Sequence, residues 1–221
     1  MFNIESYMDK LILLLRDYFK HRLLYVGLQG SYLRSEADEN SDIDVMVVLS
    51  DLAIQDLDSY KNILLACGNY HRSCGFICGK AELCCWNPLE ICHLLHTTKD
   101  HFGKLKGLVP AYTMEDEKNY IRLSLDNLFH ELCHGYIHCG REENIARLPV
   151  VYKSVFFILQ NICYYNTGTF ASTKQDLLAR INDDHREVLA TAMRIKSDAV
   201  EDFDYLFKVL FEWCQKMITR I

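Results

Sequence analysis

Residues 25–48 read YVGLQGSYLRSEADENSDIDVMVV, and this stretch decides the architecture. It begins and ends in apolar, β-branched runs, RLLYVGL and IDVMVVL, which predict two strands. Asp42 and Asp44 open the second run, one residue apart. Side chains two apart on a strand share a face, so both carboxylates emerge together at the mouth of an otherwise buried strand. Two like charges that close are unfavourable unless a cation sits between them. Upstream, Gly30-Ser31 stands where the first strand gives way to a helical turn, a place where phosphate groups are held.

This combination has a direct chemical use. Two same-face carboxylates can share Mg²⁺, a hard cation that takes oxygen ligands and completes its shell with phosphate oxygens and water. Ser31 and the backbone N–H groups beside Gly30 would hold the terminal phosphates of a nucleoside triphosphate, glycine permitting close approach. In-line attack on an α-phosphate then needs positioning, charge neutralisation and a base near the acceptor hydroxyl. The reaction these parts serve is nucleotidyl transfer.

Working outward, composition sets the class. The chain has 221 residues, 50% hydrophobic and 24% charged, enough to bury a sizeable core in one large domain or two small ones. Lys+Arg 24 against Asp+Glu 30 gives a net charge of -6, which argues against a protein whose main task is gripping nucleic acid. The N-terminus MFNIESYMDKLILLLRDYFK lacks the basic start and small-residue cleavage site of a secretory signal. No run reads as long and apolar enough to span a bilayer. Several of the 10 cysteines, such as Cys78 and Cys163, sit in apolar segments, which favours reduced, buried thiols and a cytoplasmic location. Oligomeric state is not legible.

Helical periodicity covers about Ile4 to Lys20 and Asp56 to Ala66, with a third strand in HRSCGFICGK ended by Gly79. After Pro110 the pattern is helical throughout. One helix is expected from Glu115 to Cys139 and another from Ala146 to Tyr165, with Pro149 in its first turn and Gly168 just past its end. A Ser172/Gln175 capping box would open a third, and a last helix runs from Asp198 to Ile218.

The segment GLQGSYLRSEADENSDIDVMVV resembles the signature of the DNA polymerase beta-like nucleotidyltransferases, written here as G-S-x10-D-x-D, and especially their small bacterial branch. That branch includes kanamycin, streptomycin and lincosamide nucleotidyltransferases and minimal nucleotidyltransferase antitoxins. The helical second half resembles the C-terminal helical domain of the antibiotic-modifying members. The resemblance implies an α+β protein: a nucleotidyltransferase domain with a mixed sheet and flanking helices over residues 1–110, then a helical substrate-binding bundle over 111–221, with the active cleft between them. It implies Mg²⁺-dependent transfer of a nucleoside monophosphate, AMP from ATP first, to a hydroxyl of a small molecule. An antitoxin-like nucleotide- or protein-binding module without turnover is the alternative.

Carried over by position, Gly30 and Ser31 match the phosphate-binding turn, and Asp42 and Asp44 the metal ligands. Arg34 occupies a recurrent basic position, or is a surface arginine pairing with Glu36 or Asp38. Members usually present a third carboxylate from a neighbouring strand; Glu82 is the candidate, as ligand or base, with Glu131 in reserve, and a solvent-facing strand-end Glu is the plain reading of Glu82. Lys153 in VVYKSVFFILQ either reaches the triphosphate or snorkels at a helix edge. Tyr152 beside it reads as packing.

Two other motifs compete. HELCH, His130 to His134, matches the H-E-x-x-H zinc pattern, and His138 extends the same face. No third-ligand motif follows, so histidines on a polar helix face or lining an acceptor cleft are the preferred reading over a zinc hydrolase. Arg180 to His185, RINDDH, fits the R-x4-H pattern of HEPN ribonucleases, with capping and surface charge as the simpler role.

Overall fold

The computed structural model describes residues 2–195 and 202–221. The chain divides into two compact units, Met1–Tyr112 and Thr113–Ile221.

In the first unit, α1 (Ile4–Phe19) leads into β1 (Leu23–Leu28), the short α2 (Gly30–Leu33), β2 (Ile43–Leu49) and α3 (Ile54–Cys67). There follow β3 (Ser73–Gly79), α4 (Lys80–Cys84), α5 (Pro88–His96) and β4 (Lys99–Phe102). The strands form one mixed sheet in the order β3-β2-β1-β4. β2 lies antiparallel to β1 and parallel to β3, and β4 runs antiparallel to β1. The expected mixed sheet with flanking helices is what is found; α5 and edge strand β4 are additions to it.

Alternation sorts β2 onto two faces. Ile43, Val45, Val47 and Leu49 join Val26 and Leu28 in a core covered by Met8, Leu11 and Leu15 of α1 and Ile63 of α3. Met46 and Val48 face the other way, with Tyr25, Cys78 and Leu83. Each fully buried aliphatic side chain contributes about 1.5–3 kcal/mol. Asp42 and Asp44 have the parity of Met46 and Val48 and therefore leave the sheet on the face away from α1 and α3.

The second unit is helical: α6 (Met114–His138), α7 (Arg141–Thr167), α8 (Lys174–Arg180), α9 (Asp183–Arg194) and α10 (Phe203–Ile218). Thr113 opens α6 through a capping box: its Oγ1 accepts from the Asp116 amide at 3.2 Å, and Asp116 Oδ2 accepts from the Thr113 amide at 2.8 Å. α7 starts earlier than expected, which puts Pro149 inside the helix, and it ends at Gly168 in the left-handed region. The cap of α8 is Thr173 with Asp176, one residue beyond the expected Ser172/Gln175 pair. The last helix is observed from Phe203; Asp198 to Glu201 of its expected span lie outside the described residues.

Contrary to the sequence expectation, α7 is long and apolar enough to cross a membrane by length and composition. More than half of its most apolar window is buried within the protein, and Val151, Val155, Phe156, Leu159 and Ile162 line the core of this unit. That is the behaviour of a core helix, hydrophobic on most of its circumference because neighbouring helices surround it.

Candidate functional site

The site is built at one end of β1 and β2. β1 runs out at Leu28, Gln29 donates its amide to the Asp44 carbonyl at 2.9 Å, and the chain turns at once into α2. Gly30 has φ +69, and a Cβ there would lie 1.9 Å from Asp44 Oδ2 and 2.8 Å from its Cγ. Glycine is therefore required twice, for the backbone conformation and for the space that the carboxylate fills. Ser31 follows, half-buried, its hydroxyl without a partner among the described residues. The first amides of so short a helix have no intrahelical acceptor and remain available. Gly30, Ser31 and Asp44 are thus brought together; Asp42, exposed, precedes β2 by one residue on the same face.

Neither Asp42 nor Asp44 takes part in an ion pair among the described residues. Two adjacent, half-solvated carboxylates with no protein cation between them form the oxygen donor set that suits Mg²⁺. No three His, Cys, Asp or Glu side chains among the described residues converge on a metal position, so further ligands would have to be phosphate oxygens and water.

The expected third carboxylate is not there. Parallel pairing sets Asp44 against Cys74, whereas Gly79, at the other end of β3, sits against Leu49. Glu82 follows on α4, its carboxylate so close to Gly79 that a Cβ there would lie 2.2 Å from Oε2. The two positions are five residue steps apart along the strand, roughly 16 Å at the rise of a β-strand. Glu82 therefore lies at the wrong end of the sheet to join Asp42 and Asp44 and is corrected to a surface residue of α4. Glu82→Gln is expected to change Mg²⁺-dependent nucleotide affinity by no more than about 0.5 kcal/mol, read by titration calorimetry.

Cys74 occupies the place beside Asp44. Desolvation against the sheet, with Asp44 and Asp42 beside it, holds its thiol above the usual range, so it stays protonated there. The sequence does not place Cys74 beside the acid pair, because only the β2–β3 register shows what faces Asp44.

Of the remaining predicted residues, Arg34 closes α2, and Glu131 and Lys153 belong to the second unit. Arg34 Nε donates to Glu36 Oε2 at 3.0 Å, one of the two local pairings open to it in the sequence. Glu131 accepts from Arg147 Nη2 at 3.3 Å on the surface of the second unit. Lys153 is exposed on α7 and makes no ion pair among the described residues of that unit. Tyr152 is buried and donates its hydroxyl to the Leu206 carbonyl at 2.7 Å, so its role is packing. His130, His134 and His138 form an exposed stripe on α6, ring centroids 5.9 and 4.8 Å apart in sequence order, and no group of three metal-ligating side chains converges there among the described residues.

The R-x4-H pattern dissolves into two structural roles. Arg180 pairs with Asp176 at 2.6 Å, while His185 is buried and its Nδ1 accepts from Trp213 Nε1 at 3.1 Å. His185 is a core residue, not surface charge. Burial holds its imidazole below the ordinary 6.5, outweighing the nearby Asp184 carboxylate. The unfolded chain then takes up a proton that the folded unit refuses, so stability present above pH 6.5 is lost as pH falls toward the folded value. Denaturant unfolding followed by Trp213 fluorescence in a Trp86→Phe background should show this loss, up to about 1.4 kcal/mol per pH unit. A His185→Gln variant with the same pH slope would contradict it.

Comparison with known proteins bears on the same segment. Residues 8–65, α1 through most of α3, match the family model of the nucleotidyltransferase domain. That match lies within the first unit and covers the β1–α2–β2 segment that carries Gly30, Ser31, Asp42 and Asp44. In fold, the chain is similar to the spectinomycin adenyltransferase AAD(9) from Enterococcus faecialis, solved with ATP and spectinomycin. That match has 18% identity and a TM-score of 0.59, over 96% of this chain and 100% of that one. A toxin-antitoxin structure with AMP-PNP matches at 20% identity and a TM-score of 0.33, over 58% of this chain and 93% of that one. No curated protein sequence matches the chain. The fold is thus α+β, a mixed four-stranded sheet with flanking helices followed by a helical region.

Proposed function

We propose that the protein binds ATP with Mg²⁺ at the Gly30–Ser31 turn and transfers AMP to a hydroxyl of a small molecule, releasing pyrophosphate. One observation carries this reading: the left-handed Gly30 packs directly against the Asp44 carboxylate, so the phosphate-holding turn and the acid pair are one site. Asp42 and Asp44 would hold the metal, and Ser31 Oγ and the α2 amides would hold the triphosphate. When bound, Mg²⁺ supplies charge neutralisation for the leaving pyrophosphate. The acceptor oxygen forms the new bond to the α-phosphorus as the bond to pyrophosphate breaks, and the hydroxyl proton passes to a base. Glu82 is too distant for that role, and Glu131 is engaged with Arg147.

The similarity in fold to an adenyltransferase solved with spectinomycin makes aminocyclitols and aminoglycosides the first acceptors to try, with antibiotic modification as the biological setting. All ten cysteines are free, which supports a reducing, cytoplasmic compartment. A nucleotide-binding module without turnover is a second reading, favoured by Cys74 standing where a third carboxylate was expected.

The deciding experiment incubates the protein with α-phosphate-labelled ATP, Mg²⁺ and a panel of aminocyclitol, aminoglycoside and lincosamide acceptors. Label on an acceptor with matching pyrophosphate release supports transfer. ATP binding with no label on any acceptor, together with co-purification of a stable protein partner, supports the second reading.

A further inference from the structure

The ten residues between Ser31 and Asp42 must bring the two halves of the site to a fixed separation, and a side chain from far along the sequence grips that loop. Arg72 immediately precedes β3, and the parallel register Ile43↔Ser73 sets it beside Asp42, which immediately precedes β2. Its Nε and Nη2 donate to the Ser41 carbonyl at 3.0 and 2.8 Å. That carbonyl belongs to the peptide unit joining Ser41 to Asp42, so its orientation fixes where the Asp42 backbone starts. Nη2 also donates to the hydroxyl of Tyr32, the residue after Ser31, and lies 3.5 Å from the Asp38 carbonyl.

The guanidinium is held in turn by aromatic faces. It sits 5.0 Å from the Phe2 ring centroid and 5.6 Å from that of Tyr32, and the two rings are themselves 5.5 Å apart. The loop it grips is braced internally: Asp38 Oδ1 accepts from the Asn40 amide at 2.9 Å and from Ser41 Oγ at 3.1 Å. Ser41 Oγ accepts from the Asp38 amide at 2.9 Å. Arg34, the basic residue inside the motif, pairs with Glu36.

We propose that Arg72 is a positioning residue that sets Asp42 against the Ser31 turn, clamping the Ser41 carbonyl and Tyr32 together. The proposal rests on the nucleotide-site reading above. Lysine would not replace it: an ammonium is a point charge without the planar fork that reaches one carbonyl through two N–H groups while lying on an aromatic face.

The test uses Mn²⁺ as a spectroscopic probe, titrated by electron paramagnetic resonance with a non-hydrolysable ATP analogue. It compares wild type, Arg72→Gln, Arg72→Lys, Tyr32→Phe and the Asp42→Asn, Asp44→Asn double variant. Amide hydrogen exchange over residues 36–42 is followed in parallel without ligand. Wild type should bind Mn²⁺ and analogue in a way that needs both aspartates. Arg72→Gln should weaken that binding about 10–100-fold and speed exchange over 36–42, and Arg72→Lys should not restore it. A side chain that only stabilises the fold would lower the melting temperature and leave affinity in the folded fraction unchanged. If Arg72→Gln does not fold, Arg72→Lys and Tyr32→Phe carry the comparison. Wild-type affinity in folded Arg72 variants overturns the proposal and leaves the nucleotide site standing; absence of aspartate-dependent binding in wild type overturns both.

Discussion

Gly30→Ala should abolish Mg²⁺-dependent nucleotide binding while costing the first unit only about 1–2 kcal/mol of stability. The stability cost comes from placing an L side chain at φ +69. The functional cost comes from the new Cβ, which would occupy the position of the Asp44 carboxylate, 1.9 Å from Oδ2. A side-chain carboxylate can swing away where backbone cannot, so the protein folds but one metal ligand is displaced from the turn that holds phosphate. Gly68→Ala is the control: φ +93 with ψ 168 is also closed to L side chains, and nothing lies within 4 Å of its Cβ. It should lower stability at least as much and leave binding intact. Calorimetric titration and thermal melts of the two variants separate the effects; equal binding in both would mean that Gly30 is only a turn residue.

Asp42→Asn with Asp44→Asn is the second large effect. The amides keep the shape of the carboxylates and remove both charges, so unliganded stability should hold or rise slightly as like-charge repulsion is relieved. Acceptor-dependent pyrophosphate release, once an acceptor is in hand, should fall below detection. Of the single variants, Asp44→Asn should do more harm, because Asp44 is the carboxylate in contact with the Gly30 turn. A double variant that still transferred AMP at the wild-type rate would contradict the assignment.

What could be read from sequence here follows from how local the determinants are. β1, α2 and β2 lie within one contiguous motif, and alternation alone places Asp42 and Asp44 on one face, as the structure shows. Glu82 was misplaced because its role depended on which end of β3 meets the acid pair. That is decided by parallel pairing with β2, a non-local choice with no signature in the residues around Glu82. Arg72 was overlooked for the same reason, since its partners Tyr32, Asp38 and Ser41 lie more than thirty residues away. The four-residue β4 carries too short an alternation to register as a strand. His185 looked like surface charge beside Asp183 and Asp184, and only the packing of α9 against Trp213 of α10 shows it to be core.

The most direct test of the central claim is titration calorimetry of the purified protein with a non-hydrolysable ATP analogue, with and without Mg²⁺, alongside the Asp42→Asn, Asp44→Asn variant. The account predicts binding to the wild type that is strong only with Mg²⁺ and is weakened at least about 100-fold in the variant. Binding that is indifferent to both Mg²⁺ and the two aspartates, or no binding by the wild type under either condition, would contradict it.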